Sequence, residues 1–83
     1  MSMDAVLSVR PSRPGARLQR ETTEVQAAIA LVAARSGDRV LLCGLRYGGR
    51  LAASCAGRAA AAGVRLEPLR TPGNGVDIRV CRV

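Results

Sequence analysis

The stretch RVLLCGLRYGGRLAASCAGRAAAAG, from Arg39 to Gly63, decides the fold of this chain. Val40, Leu41, Leu42 and Cys43 form an uninterrupted apolar run, the pattern of a strand buried in a sheet, which extends to about Leu45 across a break at Gly44. The chain then turns through Arg46, Tyr47, Gly48 and Gly49 into an alanine-rich helix over about Arg50 to Ala62, and Gly63 stops it. Leu51, Cys55, Ala59 and Ala62 recur along one side of that helix. Gly57 weakens its middle by about 1 kcal/mol relative to alanine, which asks for a packing reason such as a close helix crossing. A strand that feeds a helix through a glycine pair flanked by arginines points backbone N–H groups and guanidinium forks the same way. Such a turn is a place for an anion.

Working back toward the amino terminus, Thr23 and Gln26 have the spacing of a capping box just before an apolar run, so a first helix is expected over about Glu24 to Arg35. Val25, Ala28, Ile29 and Val32 form its core stripe, and Gly37 supplies the stop. Ala27, Ala30, Leu31 and Ala34 make the opposite side apolar as well, which is either ordinary exposed alanine or a self-association face. Ala5 to Arg10 alternates as a short strand, with Leu7 and Val9 on one face and Ser8 and Arg10 on the other. Between them, residues 11–22 carry Pro11, Pro14 and Gly15 and read as a basic loop. Its arginines, Arg13, Arg17 and Arg20, follow Arg10 at intervals of three or four. The loop is either a solvated connector or an arm that orders on contact with a polyanion.

Beyond Gly63, Val64 to Arg70 reads as a strand that Pro68 confines to a sheet edge or a bulge. Thr71 to Gly75 is turn chemistry around Asn74-Gly75, and Val76 to Val83 is a last strand that buries Val76, Ile78 and Val80. The order strand, helix, strand, helix, strand, strand predicts one domain over residues 1–83, an α/β (α+β) two-layer sandwich. Right-handed crossovers put both helices on one face of a four-stranded mixed sheet. The other face is left uncovered or used, and with Arg65, Glu67, Arg79 and Arg82 on the last two strands the open face and hairpin are polar enough to meet water or a polyanion.

All thirteen basic residues are arginine, against six acids and no histidine, for a net charge of +7 and a pI near 11.3. A GC-rich genome is one source of such a bias, but the charge is physically present whatever its origin. Arginine's planar fork suits phosphate, so the balance points to a polyanionic partner. Val, Leu and Ala dominate the apolar inventory, Tyr47 is the sole aromatic, and the core is expected to be thin. Cys43, Cys55 and Cys81 have no metal-like spacing and read as small buried residues of a reducing compartment. No basic-then-apolar leader and no membrane-spanning run is visible, so a soluble intracellular protein, cytoplasmic or nucleoid-associated, is expected. The acids show no pairing and no lysine or histidine offers a base, so no enzyme, cofactor, metal or small-molecule substrate is expected.

The order of elements resembles the Alba family of small DNA- and RNA-binding proteins. Val25 to Val32 is similar to that family's first helix, and Val40 to Leu45 followed by Gly49, Arg50, Leu51 and Ala52 is similar to its strand, glycine and Gly-Arg helix start. The C-terminal domain of bacterial translation initiation factor three is a second resemblance of the same topology. Its carriers are Gly37-Asp38-Arg39, Leu45 to Gly49, Gly57-Arg58, and Arg10-Pro11 at the end of the first strand. A third scaffold relative, the sulfur-carrier family, needs a Cys-Pro-x-Pro motif near the first helix, where this chain has RPSRPG and no cysteine before Cys43. The first two resemblances imply nucleic-acid binding; with the arginine charge and the small size of the chain, the expectation is a non-enzymatic nucleic-acid-binding protein, a homodimer, whose phosphate contacts give weak sequence preference. Its contacts would be Arg13, Arg17 and Arg20 from the first loop and Arg46, Tyr47 and Arg50 with the Gly48 and Gly49 amides at the centre. Tyr47 is either a stacking platform for an unpaired base or a rim residue over the second helix, and the glycine pair is either a phosphate cradle or only a tight turn. The alternative is a protein-interaction module of a ribonucleoprotein that works through the apolar first helix.

Overall fold

β2 (Arg39–Cys43) lies inside the sheet because every neighbour it needs is apolar on one side. In this computed structural model, which describes residues 4–9, 13, 15–35, 37–73 and 75–83, the strand order is β1-β2-β4-β3. β1 (Asp4–Ser8) runs parallel to β2, while β4 (Val76–Arg82) is antiparallel both to β2 and to β3 (Val64–Arg70). Val40 stands opposite Val80 and Leu42 opposite Ile78, and all four are essentially buried. Val25, Ile29 and Val32 of α1 (Arg17–Ala34) pack over them. So do Leu51 of α2 (Gly48–Ser54) and Ala59 of α3 (Ala56–Ala61). The helices form one layer on one face of a four-stranded mixed sheet, as the order of elements predicts. The β3–β4 hairpin then returns β4 into the gap between β2 and β3.

Several boundaries differ from the sequence reading. α1 begins at Arg17, seven residues before the expected start, so the basic loop does not reach residue 22 and both Arg17 and Arg20 are helical. Thr23 caps nothing: its hydroxyl donates to the Gln19 carbonyl at 3.0 Å, as Thr22 does to Leu18 at 2.7 Å. The extra turns form because Leu18 packs against the core and Glu21 is fully buried, so tertiary contact overrides the capping signal. β2 ends at Cys43, and Gly44 turns the chain at φ +77°, where an added Cβ would lie 3.3 Å from the Val9 carbonyl oxygen. The second helix starts at Gly48 and is interrupted at Cys55, although hydrogen bonds from Cys55 N–H to Leu51 O (2.9 Å) and from Ala59 N–H to Cys55 O (3.0 Å) run through the break. No helix crosses at Gly57, where an added Cβ would meet open space.

β3 is an edge strand, in keeping with Pro68, and the hairpin closes with Thr71 N–H on Gly75 O and Gly75 N–H on Thr71 Oγ1. Arg10, Pro11, Pro14 and Asn74, to which the strand end, the loop and the turn were partly assigned, lie outside the described residues. On the uncovered face Glu67 bridges Arg79 at 3.1 Å and Arg65 at 3.6 Å. Arg82 is not on that face: in register with Val64 it lies on the helix side, and both its terminal nitrogens donate to Ala33 O at 3.3 Å. There it satisfies an orphan carbonyl in the last turn of α1. Among the described residues no helix is long and apolar enough to cross a membrane.

Candidate nucleic-acid interface

The topology gathers five chain segments at one end of the sheet. Because β1 and β2 are parallel, each delivers its carboxyl end there and each following helix, α1 and α2, starts there. Because β4 is antiparallel to β2, the Arg70 to Val76 hairpin arrives at the same end. Arg13, Arg17, Arg20, Arg46, Arg50 and Arg70 are therefore brought to one pole, although they span most of the sequence.

At the middle of this pole sits a carboxylate. Glu21 is 0 % exposed, yet its two oxygens are matched by three donors. The Arg46 backbone N–H donates to Oε2 at 3.0 Å, the Tyr47 N–H to Oε1 at 2.8 Å, and the Arg17 guanidinium to Oε2. Arg17 also donates from a terminal nitrogen to the Gly44 carbonyl, so one side chain clasps both the carboxylate and the end of β2. A carboxylate this deep survives only when its lone pairs are filled by charged or backbone donors.

This arrangement sorts the residues named from sequence. The anion facing the Arg46–Tyr47 amides is the chain's own, and Arg17 is committed to it. Gly48 is buried against β4, with its Cα so near the Val76 carbonyl that an added Cβ would lie 2.1 Å from that oxygen. Gly49 is exposed beside it. Tyr47 is half-buried with its ring packed on the core rim. Arg13, Arg20, Arg46 and Arg50 are exposed, and among the described residues their guanidinium groups have no ion-pair partner.

Two residues were missed. Arg70, exposed at the hairpin base opposite Val76, joins this pole only through β4's return beside α2. No local signal marks it. Glu21 did carry a signal: stepping the core stripe back four residues from Val25 lands on it.

The cysteines are all free. Cys55 and Cys81 are buried as expected, the latter beneath the Arg65 guanidinium at 3.7 Å. Cys43 is half-buried on the uncovered face, and burial, the nearby Asp77 charge and a hydrogen bond to that carboxylate hold its thiol pKa above the ordinary value.

The class that fold and pole define is a small arginine-rich two-layer sandwich with one basic end. Beyond that class, no protein-family model, no curated protein and no solved structure matches the chain.

Proposed function

We propose that the chain is a non-enzymatic nucleic-acid-binding domain that engages phosphates through the guanidinium groups of its basic end. The observation that carries this reading is the convergence of Arg13, Arg20, Arg46, Arg50 and Arg70, all exposed and without acidic partners among the described residues, on a chain of net charge +7. Free arginines on neighbouring elements repel one another; a polyanion's phosphates offset that repulsion, and the counterions it releases on binding add to the affinity. The Arg46 and Tyr47 amides are used internally and are not among the contacts. Guanidinium–phosphate contacts fix position and carry no sequence code, so binding is of weak sequence preference. The short stretches that resemble Alba proteins and the initiation factor domain favour the same class, and such a partner is consistent with the cytoplasm or nucleoid.

The test is titration of duplex DNA, duplex RNA and single-stranded RNA across salt with the wild-type chain and the double variant Arg46→Glu/Arg50→Glu. Binding that weakens steeply with salt and disappears in the variant is expected. Absence of binding to all three polymers at low salt overturns the reading.

One observation favours a second reading, a protein-interaction or self-association module. Leu31 is 38 % exposed and lies on the outer side of α1 with exposed Ala27, Ala30 and Ala34. Loss of activity or of dimerisation in Leu31→Arg, with Arg46→Glu unaffected, would favour that module.

A further inference from the structure

Glu21 occupies a core-stripe position beside Val25, where an apolar side chain would leave the Arg46 and Tyr47 N–H groups and the Arg17 guanidinium without an acceptor. What a carboxylate adds there is direction. Its two oxygens fix two consecutive backbone N–H groups, those of Arg46 and Tyr47, at 3.0 and 2.8 Å, and so set the orientation of the β2–α2 turn. With the amides of Arg46 and Tyr47 drawn inward, the Arg46 side chain is left exposed, and the Tyr47 ring lies against the core. The clasp of Arg17 on Glu21 and Gly44 O holds the carboxylate to the same turn from the side of α1.

We infer that Glu21, clasped by Arg17, is a positioning residue of the basic end: it fixes the turn that presents Arg46 and Arg50 outward, and Arg17 acts through it without touching phosphate. The inference rests on the proposed polyanion reading for its purpose but not for its geometry. The two can fail separately.

The sign of one substitution separates positioning from charge. Glu21→Gln keeps the shape, raises the net charge by one, and sets an NH₂ group against one of the three donors. On Coulomb attraction alone it binds a polyanion more tightly; as a positioning residue its loss weakens binding. Arg17→Lys keeps the charge and loses the fork that spans Glu21 and Gly44, so a phosphate contact would largely survive it while the clasp would not.

The experiment measures amide hydrogen exchange by NMR in the wild-type chain, Glu21→Gln and Arg17→Lys, and binding of single-stranded RNA at fixed low salt for the same three proteins. The expected result is exchange of the Arg46 and Tyr47 amides about ten- to a hundredfold faster in Glu21→Gln, the loss of a charge-assisted hydrogen bond, with Leu42 and Val80 unchanged. RNA binding is expected to weaken in both variants, and Arg46→Ala is expected to cost less in the Glu21→Gln background than alone. Unchanged exchange at residues 46 and 47, or RNA binding as tight as wild type or tighter, overturns the inference. If Glu21→Gln does not fold, Arg17→Lys decides it by the same two readouts. If the wild-type chain binds no polyanion, the proposed function falls and the exchange measurement alone decides whether Glu21 sets the turn.

Discussion

Gly48 shows how one missing methyl group shapes the basic end. The start of α2 lies directly against the first residue of β4, and a Cβ at position 48 would sit 2.1 Å from the Val76 carbonyl oxygen and 3.0 Å from its carbon. Both are backbone atoms, so no side chain can move aside. Gly48→Ala is therefore expected to destabilise the fold by about 1–3 kcal/mol, the usual range for overpacking, read as a lower denaturation midpoint with an unchanged denaturant slope. Cys43 is the residue whose chemistry the fold alters. Burial first, then the Asp77 charge, then the hydrogen bond to Asp77 all favour its neutral thiol, so its pKa lies higher folded than unfolded. The stabilisation this brings is complete below the ordinary thiol range and is lost as pH rises through it toward the folded value. Alkylation of Cys43 followed by mass spectrometry should accelerate at higher pH than for a small free thiol. Asp77→Asn, which removes the charge while leaving an oxygen to accept from the thiol, should shift that rise part of the way back down.

At the scale of elements, the helical layer is held by tertiary contact more than by local propensity. α1 gains its first turns because Leu18 and Glu21 find buried partners, and Arg82 of β4 closes its far end on Ala33 O. The second helix is weaker. It is broken at Cys55 into pieces of seven and six residues, and Gly57 in the second piece makes no close approach that would require a glycine. Gly57→Ala is expected to stabilise the chain by about 0.5–1 kcal/mol through lower unfolded-state entropy and better helix propensity, raising the thermal midpoint without changing polyanion binding. A lower thermal midpoint would mean that the added methyl meets packed atoms after all and would overturn this reading of Gly57.

For the whole molecule, what matters is where the charge sits. Acids answer arginines elsewhere: Asp38 faces Arg35 at 3.9 Å, and Glu67 serves Arg65 and Arg79. At the basic end the fully buried Glu21 is already answered by Arg17. Each arginine there that neutralises a phosphate contributes about 0.7 to the slope of log K against log salt on single strands and about 0.9 on duplex DNA. Arg46→Ala and Arg50→Ala should each lower that slope by about this amount. Arg58→Ala, on α3 and away from the end where the helices start, should leave it unchanged.

Periodicity and turn chemistry alone determined the element order and the core stripe of Val25, Ala28, Ile29 and Val32, and Pro68 narrowed β3 to an edge or a bulge. These are local: a strand's alternation or a helix's repeat is written in neighbouring residues. The sequence also pointed to the Arg46–Gly49 turn as a place for an anion. Only the tertiary structure decided that Glu21, some 25 positions upstream, occupies the turn's Arg46 and Tyr47 amides, that Arg17 is bound to that carboxylate, and that Arg70 stands at the same end. It also carried α1 back past the apparent cap at Thr23 and turned Arg82 to the helix side. Each of these depends on which segments meet once β1 and β2 run parallel and β4 enters between β2 and β3. A buried charge is stable only where distant donors converge on it, and that convergence is a property of the packed chain.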